Sequence, residues 1–392
     1  MITREDIREL AQVQCVNGDG CALSFYFQPQ TPKDKSHREE AILAKELVRN
    51  ALRDAEKHGK AGCARSDLDR ILEVAGNLRG NQARAKAIFA CGAKKLWREF
   101  DLPPVLPGTQ MFVNQRFHLK PLATLLGAQP RLFVAVLDRQ RARTFSLRLD
   151  ELLEREGLSH PLTRRGRGDG FAGYDAGHSQ RRVADEAMHH FKNVAELIRE
   201  ELERGTFEKV IIGCQDGNWR EFESHLHPYV KQRLLGHFSA EVATISNDQI
   251  RENANRILRE SQQNRRDELL TEVLGQAHRN GLGVTGLRRV LCALEMGEVQ
   301  TLLLGENFRA HSVECTKCAH LDSHMVKFCA VCGHETQELD DVCDAIIPQA
   351  IRRDVEFFYV KDEPRFDNVG NIAALLRFRA DQNTPSKTAI AS

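Results

Sequence analysis

Residues 284–308 read VTGLRRVLCALEMGEVQTLLLGENF. Leu287, Val290, Leu291 and Leu294 recur at helical spacing, so the first half of this stretch is an amphipathic helix. Gly297 stops it, because a glycine tolerates the left-handed conformation that ends helices. Directly behind it, VQTLLL is a short apolar run of the kind that forms a strand buried on both faces. The same grammar continues downstream. ELDDVCDAIIPQAIRRD (338–354) reads as a helix, VEFFYV (355–360) as a strand, and GNIAALLRFRA (370–380) as the closing element. Helices alternating with buried strands predict a small αβα sandwich.

An insertion interrupts that sandwich. CTKCAHLDSHMVKFCAVCGHE places Cys315, Cys318, Cys329 and Cys332 as two C-x2-C pairs. Each pair closes a tight knuckle that holds two thiolates on one face of a tetrahedral Zn²⁺. His311, His320, His324 and His334 lie nearby, but four cysteines already fill the shell. With every position occupied, the expected zinc is structural and not catalytic. The insertion, residues 311–335, is too short to build its own core, so a metal replaces one.

Upstream, the pattern divides into two further α/β segments. In the first, CALSFYFQP (21–29) and KAIFACG (86–92) read as strands, and SHREEAILAKELVRNALRDAEKHG (36–59) as a helix. DLPPVLPGTQ (101–110) is proline-rich punctuation. In the second, LFVAVLD (132–138) is a buried strand with RARTFSL (141–147) as its hairpin partner. VADEAMHHFKNVAELIREELERG (183–205) reads as a helix with Val183, Ala187, Phe191, Val194 and Ile198 on its packed face and Gly205 at its end. KVIIG (209–213) reads as a strand, EFESHLHPYVKQRLLG (221–236) as helical, and EVATI (241–245) as another strand. A long polar helix, capped by Ser246 or Asn247, leads into the third segment. Its arginines, Arg251, Arg256, Arg259, Arg265 and Arg266, interleave with Glu252, Glu260, Asp267 and Glu268, so a salt-bridged solvent face is expected. In GCQDGNWREF (213–222), Asp216 and Trp219 read as turn and packing residues.

With 392 residues, 41% hydrophobic and 28% charged, the chain is long enough for two or three soluble domains. No apolar run approaches the roughly 18 residues of a membrane span, and MITREDIREL is not a signal peptide, so a cytoplasmic protein is expected. Net charge is +1, so any nucleic-acid binding must come from local basic clusters. Cytosolic chemistry argues against a disulfide framework. Cys15, Cys21, Cys63, Cys91, Cys214, Cys292 and Cys343 therefore read as reduced, small buried hydrophobes.

One basic cluster stands out. Between residues 159 and 182 lie Arg164, Arg165, Arg167, Arg181 and Arg182, opposed by Asp169 and Asp175 and spaced by five glycines. Arginine forks match phosphate oxygens and stack on bases, and glycines let backbone amides approach RNA. The stretch reads as a loop ending in Gly177-His178-Ser179-Gln180 at the mouth of a helix.

The order helix, buried strand, two C-x2-C pairs, VEFFYV and GNIAALLRF resembles the C-terminal domain of archaeal and eukaryotic class-one peptide-release factors. The Gly/Arg-rich stretch before a long helix is similar to the segment that carries their hydrolytic Gly-Gly-Gln. The resemblance covers residues 130–392 well and the first 130 weakly. It implies a three-domain α/β architecture with mixed sheets: 1–129, 130–268, and 269–392 with the zinc ribbon. It also implies a ribosomal A-site ligand, with ribosomal RNA as partner and an elongation-factor GTPase as a further partner class, and a monomer off the ribosome. A bacterial branch of this family includes hibernation factors of the Balon type, and a eukaryotic branch releases stalled chains.

Two departures bear on function. No intact Gly-Gly-Gln occurs: His178 and Ser179 separate Gly177 from Gln180. Two extra residues move a glutamine by up to ~7 Å in an extended chain. The first segment also lacks Asn-Ile-Lys-Ser, the motif with which release factors read stop codons; GNLRGNQARAKA (76–87) shares only its polar, basic character. The expectation is therefore a non-catalytic A-site factor acting in hibernation or stress. Arg164, Arg165, Arg167, Gly177, His178, Gln180, Arg181 and Arg182 are its RNA-contacting residues. The alternative is a rescue enzyme that hydrolyses peptidyl-tRNA or cleaves tRNA through Gln180.

Overall fold

The computed structural model describes residues 2, 4–15, 21–28, 38–57, 61–77, 85–102, 108–123, 130–148, 151–159 and 175–380. The chain forms two compact units: Met1–Ala128 together with Arg266–Ser392, and Gln129–Arg265.

The first unit begins with α1 (Arg4–Gln12), β1 (Ala22–Phe27), α2 (Arg38–Lys57), α3 (Ala61–Asn77), β2 (Ala85–Cys91), β3 (Leu96–Leu102) and β4 (Gln110–Asn114). The strands form an antiparallel sheet in the order β3-β2-β1-β4. β1 is buried throughout because both its faces are covered. Leu23, Phe25 and Phe27 pack with Val48 of α2 and Leu68 and Ile71 of α3. Alternate residues Ala22 and Tyr26 point into a second core, as the two-residue period of a strand requires.

The second unit contains β5 (Leu132–Leu137), β6 (Arg141–Arg148), β7 (Glu151–Ser159), α4 (Asp175–Glu203), β8 (Lys209–Gly213), α5 (Asp216–His225), α6 (Pro228–Lys231), β9 (Leu234–Phe238) and the start of α7 (Asn247–His278). Its sheet runs β7-β6-β5-β8-β9. β5, β8 and β9 are parallel, and β6 and β7 are added antiparallel. The Asp138 carboxylate accepts the Gln140 and Arg141 amides at 2.7 and 2.8 Å, which shapes the expected hairpin turn. Phe191, Val194, Ile198 and Leu202 of α4 cover one face of the sheet. Ile250, Ala254 and Ile257 of α7 cover the other. Of the two possible caps of α7, Ser246 is the one used: its hydroxyl accepts the Gln249 amide and Gln249 Oε1 accepts the Ser246 amide, a reciprocal capping box.

Three local expectations are corrected here. The helix over 221–236 breaks at Leu226, restarts at Pro228 for one turn, and yields to β9. EVATI, expected as a strand, is a turn in which the Thr244 and Ile245 amides return to the Glu241 carbonyl. Val242 and Ile245 are apolar there because they pack beside α7, not because they pair in a sheet. The helix expected from residue 183 begins at Asp175, two turns earlier.

The chain re-enters the first unit through the remainder of α7. β10 (Gly283–Thr285), α8 (Leu287–Glu295), β11 (Val299–Gly305), β12 (Ser312–Cys315), β13 (Leu321–Asp322), β14 (Thr336–Leu339), α9 (Cys343–Arg352), β15 (Glu356–Val360), α10 (Pro364–Asp367) and β16 (Ile372–Leu376) follow. The sheet β10-β16-β11-β15 is mixed, with β11 parallel to β15. α8 and α9 pack on one face, with Leu291 and Ile346 against Leu302 and Leu304. Leu269, Leu270 and Val273 of α7, with Phe366, pack on the other against Leu303 and Ala373. This is the αβα sandwich that the sequence predicts. Its α8–α9 core is continuous with Leu10 of α1 and with Phe117, Leu119 and Leu122 behind β4. The N-terminal sheet and the C-terminal sandwich therefore share one hydrophobic interior.

Candidate functional site

β12, β13 and β14 form a small antiparallel sheet of their own, in the order β13-β12-β14. It carries two knuckles of the same design. In the first, the amides of Lys317 and Cys318 point at Cys315 Sγ, at 3.4 and 3.5 Å. In the second, the Val331 amide points at Cys329 Sγ at 3.4 Å. The residue after each pair, Ala319 and Gly333, takes the left-handed conformation, with φ of 56° and 74°. That reversal sends the chain back so that the Cys315 amide meets the His320 carbonyl and the Cys329 amide meets the His334 carbonyl.

The knuckles face each other. All four Sγ atoms of Cys315, Cys318, Cys329 and Cys332 lie within 4.8 Å of one another. Cys315 and Cys332 are 3.3 Å apart, Cys318 and Cys332 3.4 Å, and Cys318 and Cys329 3.6 Å. A tetrahedral zinc with bonds of about 2.3 Å spreads its sulfurs to about 3.8 Å, so the cluster fits such an ion after a small expansion. The amide of Cys318, then that of Lys317, draws the Cys315 thiol down to about 6. Against the lowering effect of the His320 amide, the thiols of Cys332, Cys315 and Cys329 push Cys318 up to about 12. Thiols this crowded resist joint ionisation unless a cation takes the place of their protons. The arrangement is therefore one that could hold a metal ion.

Residues outside the knuckles fasten this sheet to the sandwich and to the segment behind β4, and sequence reading did not find them. Glu295, in the last turn of α8, accepts the Leu321 amide at 2.8 Å and lies 2.8 Å from His320 Nδ1. Arg116 Nη2 donates to Glu314 Oε1 of β12 at 2.5 Å, and Gln337 Nε2 reaches the other Glu314 oxygen at 3.3 Å. Neither Arg116 nor Glu314 belongs to a recognisable motif, and the two lie 198 residues apart in the chain.

The basic stretch is described only in part. Arg164, Arg165 and Arg167 lie outside the described residues. Gly177, His178, Gln180, Arg181 and Arg182 fall in the first two turns of α4, where sequence reading expected a loop. Gly177 and Gln180 are thus one helical turn apart, and the two intervening residues add only about 3 Å of rise. This helix start and the four cysteines belong to different units. On α7, Arg251 pairs with Asp248 and Arg256 with Glu260 as expected of a solvent face, but Arg266 is half-buried and donates to the Tyr359 carbonyl at 3.4 Å. Of the scattered cysteines, Cys15, Cys91, Cys214 and Cys343 are buried as expected, but Cys292 is exposed. Cys21 is buried yet disulfide-bonded, contrary to the expectation of a reduced thiol.

Fold and site together define a release-factor-like protein: a mixed-sheet α/β unit with a helix behind a Gly/Arg-rich stretch, and an αβα sandwich bearing a four-cysteine ribbon. Residues 118–259 match the sequence profile of bacterial archaeo-eukaryotic release factor family 10. Over 378 residues the chain is 25% identical to peptide chain release factor subunit 1 of Archaeoglobus fulgidus, covering 90% of this chain and 87% of that protein. Over 302 residues it is 25% identical to peptide chain release factor subunit 1 of Pyrococcus abyssi, covering 68% and 70%. The solved structure of Archaeoglobus fulgidus Pelota aligns over 96% of this chain and 93% of that one, at 13% identity and a TM-score of 0.35. The chain is similar to archaeal peptide chain release factors along most of its length, and its middle part matches the profile of the bacterial branch. No helix among the described residues is long and apolar enough to cross a membrane.

Proposed function

We propose that this chain is a ribosome-binding factor that occupies the A site without hydrolysing peptidyl-tRNA, in hibernation or stress-linked protection in the cytoplasm. The observation that carries this reading is the position of Gln180 inside α4, six residues' length within a helix that begins at Asp175. A hydrolytic glutamine works by placing a water and polarising an ester with its backbone and side chain, so it needs a free amide at a loop tip. In a helix the amide of residue 180 is committed to the carbonyl four residues earlier. The relatives named peptide chain release factor support the ribosome as partner. Arg164, Arg165, Arg167, Arg181 and Arg182 supply charge toward ribosomal RNA, with Gly177, His178 and Gln180 beside them. A translational GTPase is the further partner class, and the free protein is a monomer.

Zinc, held by Cys315, Cys318, Cys329 and Cys332, serves this reading as a structural ion. Four thiolate ligands leave no open position for a water or substrate. The chemistry it supplies is cross-linking of the two knuckles.

The test is peptide release from stalled ribosomes. Wild type and Gln180→Ala should both bind, and neither should release peptide above background. Release by wild type that disappears in Gln180→Ala would establish the rescue-hydrolase alternative instead.

A further inference from the structure

We infer that the outer strand of the second unit carries a stacking site for unpaired RNA bases, built on His237 and Trp219. The site lies at the carboxyl ends of the parallel strands. β8 ends at Gly213, where an added Cβ would stand 2.7 Å from the Phe238 ring, so β8 and β9 lie tightly together there. The chain then turns into α5, whose first turn sets Trp219 at the margin of the α4-facing core. The Trp219 indole and the His237 imidazole stack at a centroid distance of 4.2 Å and an interplanar angle of 8°. Trp219 is half-buried and His237 exposed, so the imidazole is the solvent end of the stack. β9 is the terminal strand of its sheet.

A histidine packed only for stability has no need to lie parallel to an indole while exposed. A planar ring backed by a second ring and open to water is what a nucleobase stacks on, whatever its identity, because every base has a π-face. The surroundings favour a polyanion. Arg220 and Lys231 are exposed and have no acidic partner among the described residues. At the other end of β9 the Arg233 guanidinium covers the Tyr229 ring at 4.4 Å. Glu221 is engaged by Arg139 at 3.1 Å, which leaves Asp216 and Glu223 as the remaining acids of residues 216–238. Arg233 and His237 are separated by about 13 Å at about 3.3 Å per strand residue, so the two platforms meet different bases of one strand. This site is separate from the arginine stretch at 164–182 and does not depend on what that stretch binds.

The test is a fluorescence-anisotropy titration of the full chain with a labelled ten-nucleotide oligoadenylate. It is run in the Arg164→Ala, Arg165→Ala, Arg167→Ala background, so that failure of the ribosome reading leaves it interpretable. His237→Ala and Trp219→Ala should each weaken binding by about tenfold, the scale of losing one base stack. His237→Phe, which keeps a planar ring, should retain most of the affinity. Arg220→Ala with Lys231→Ala should flatten the salt dependence by roughly 0.7 for each phosphate that is no longer neutralised. Should Trp219→Ala fail to fold, the exposed His237→Ala and His237→Phe pair decides alone. Absence of binding by the background chain, or equal binding by the His237→Ala variant, overturns the proposal.

Discussion

Arg116 and Glu314 form an ion pair at 2.5 Å with side chains only 10% and 3% exposed, and it ties the segment behind β4 to the first strand of the cysteine ribbon. A pair this dry is sustained only because each charge has the other, and Gln337 occupies the second Glu314 oxygen. Arg116→Met should leave the buried Glu314 carboxylate with only the Arg352 charge nearby and destabilise the first unit by about 3 kcal/mol. The double variant Arg116→Met, Glu314→Leu should recover most of that loss. Chemical denaturation read by tryptophan fluorescence and circular dichroism measures both. Equal stability of wild type and Arg116→Met would show that the pair is not closed in solution.

Cys318→Ser removes one of four thiols that lie within 4.8 Å of one another. The protein purified without chelator should carry about one zinc per chain, and the variant much less, by inductively coupled plasma mass spectrometry. Because the sandwich shares its core with the N-terminal sheet, the melting of both should shift down together, while the second unit keeps its own transition. A wild-type preparation free of zinc would end the zinc assignment.

The Arg143 guanidinium forks onto Glu154, with Nε and Nη2 at 2.8 and 3.0 Å, and also reaches the Ile245 carbonyl and Asn247 at the start of α7. The hydrogen bond from Arg143 holds the Glu154 carboxyl below its ordinary value. A carboxylate lowered in the fold contributes stability above its unfolded pKa of about 4.3, and that contribution is lost as pH falls through the folded value. Glu154 is 42% exposed, so the effect should stay below about 1 kcal/mol after solvent screening. Glu154→Gln should therefore lower the melting temperature of the second unit at pH 7, and the difference from wild type should shrink as pH falls below about 4, in paired calorimetric scans.

Gly283 opens β10 directly against the end of α7. An added Cβ would stand 2.2 Å from the Val273 carbonyl oxygen and 2.6 Å from the Ala277 amide nitrogen. Both are backbone atoms that cannot rotate away, so helix and strand must part. Gly283→Ala should cost about 3 kcal/mol, the upper range for overpacking. A urea-denaturation midpoint unchanged from wild type would contradict this packing.

Replacing Arg164, Arg165 and Arg167 by alanine should weaken co-sedimentation with vacant ribosomes. Across a potassium series the slope of log affinity against log salt should shrink by up to about 2–3 units if all three arginines touch phosphate. An unchanged slope with unchanged affinity would make the stretch a solvated surface feature.

What the sequence determined by itself is whatever depends on neighbours along the chain. The four-residue rhythm of Leu287, Val290, Leu291 and Leu294, the unbroken VQTLLL run and the two C-x2-C pairs are local signals, and the helix, strand and knuckles appear where they were read. Hairpin chemistry at Asp138 and the cap at Ser246 are local in the same sense. Tertiary structure decided what short apolar runs become. Leu234 and Leu235 continue a helical pattern on paper, but a free edge beside β8 makes them a strand, while Val242 and Ile245 find their burial against α7 and need no sheet. Pairing across long separations was likewise invisible: nothing near Arg116, Glu314 or Glu295 marks them, because an ion pair or a carboxylate that receives an amide leaves no periodicity in the sequence. The stack of His237 on Trp219 belongs to the same class, two ordinary residues given a shared face only when β9 is laid beside the start of α5.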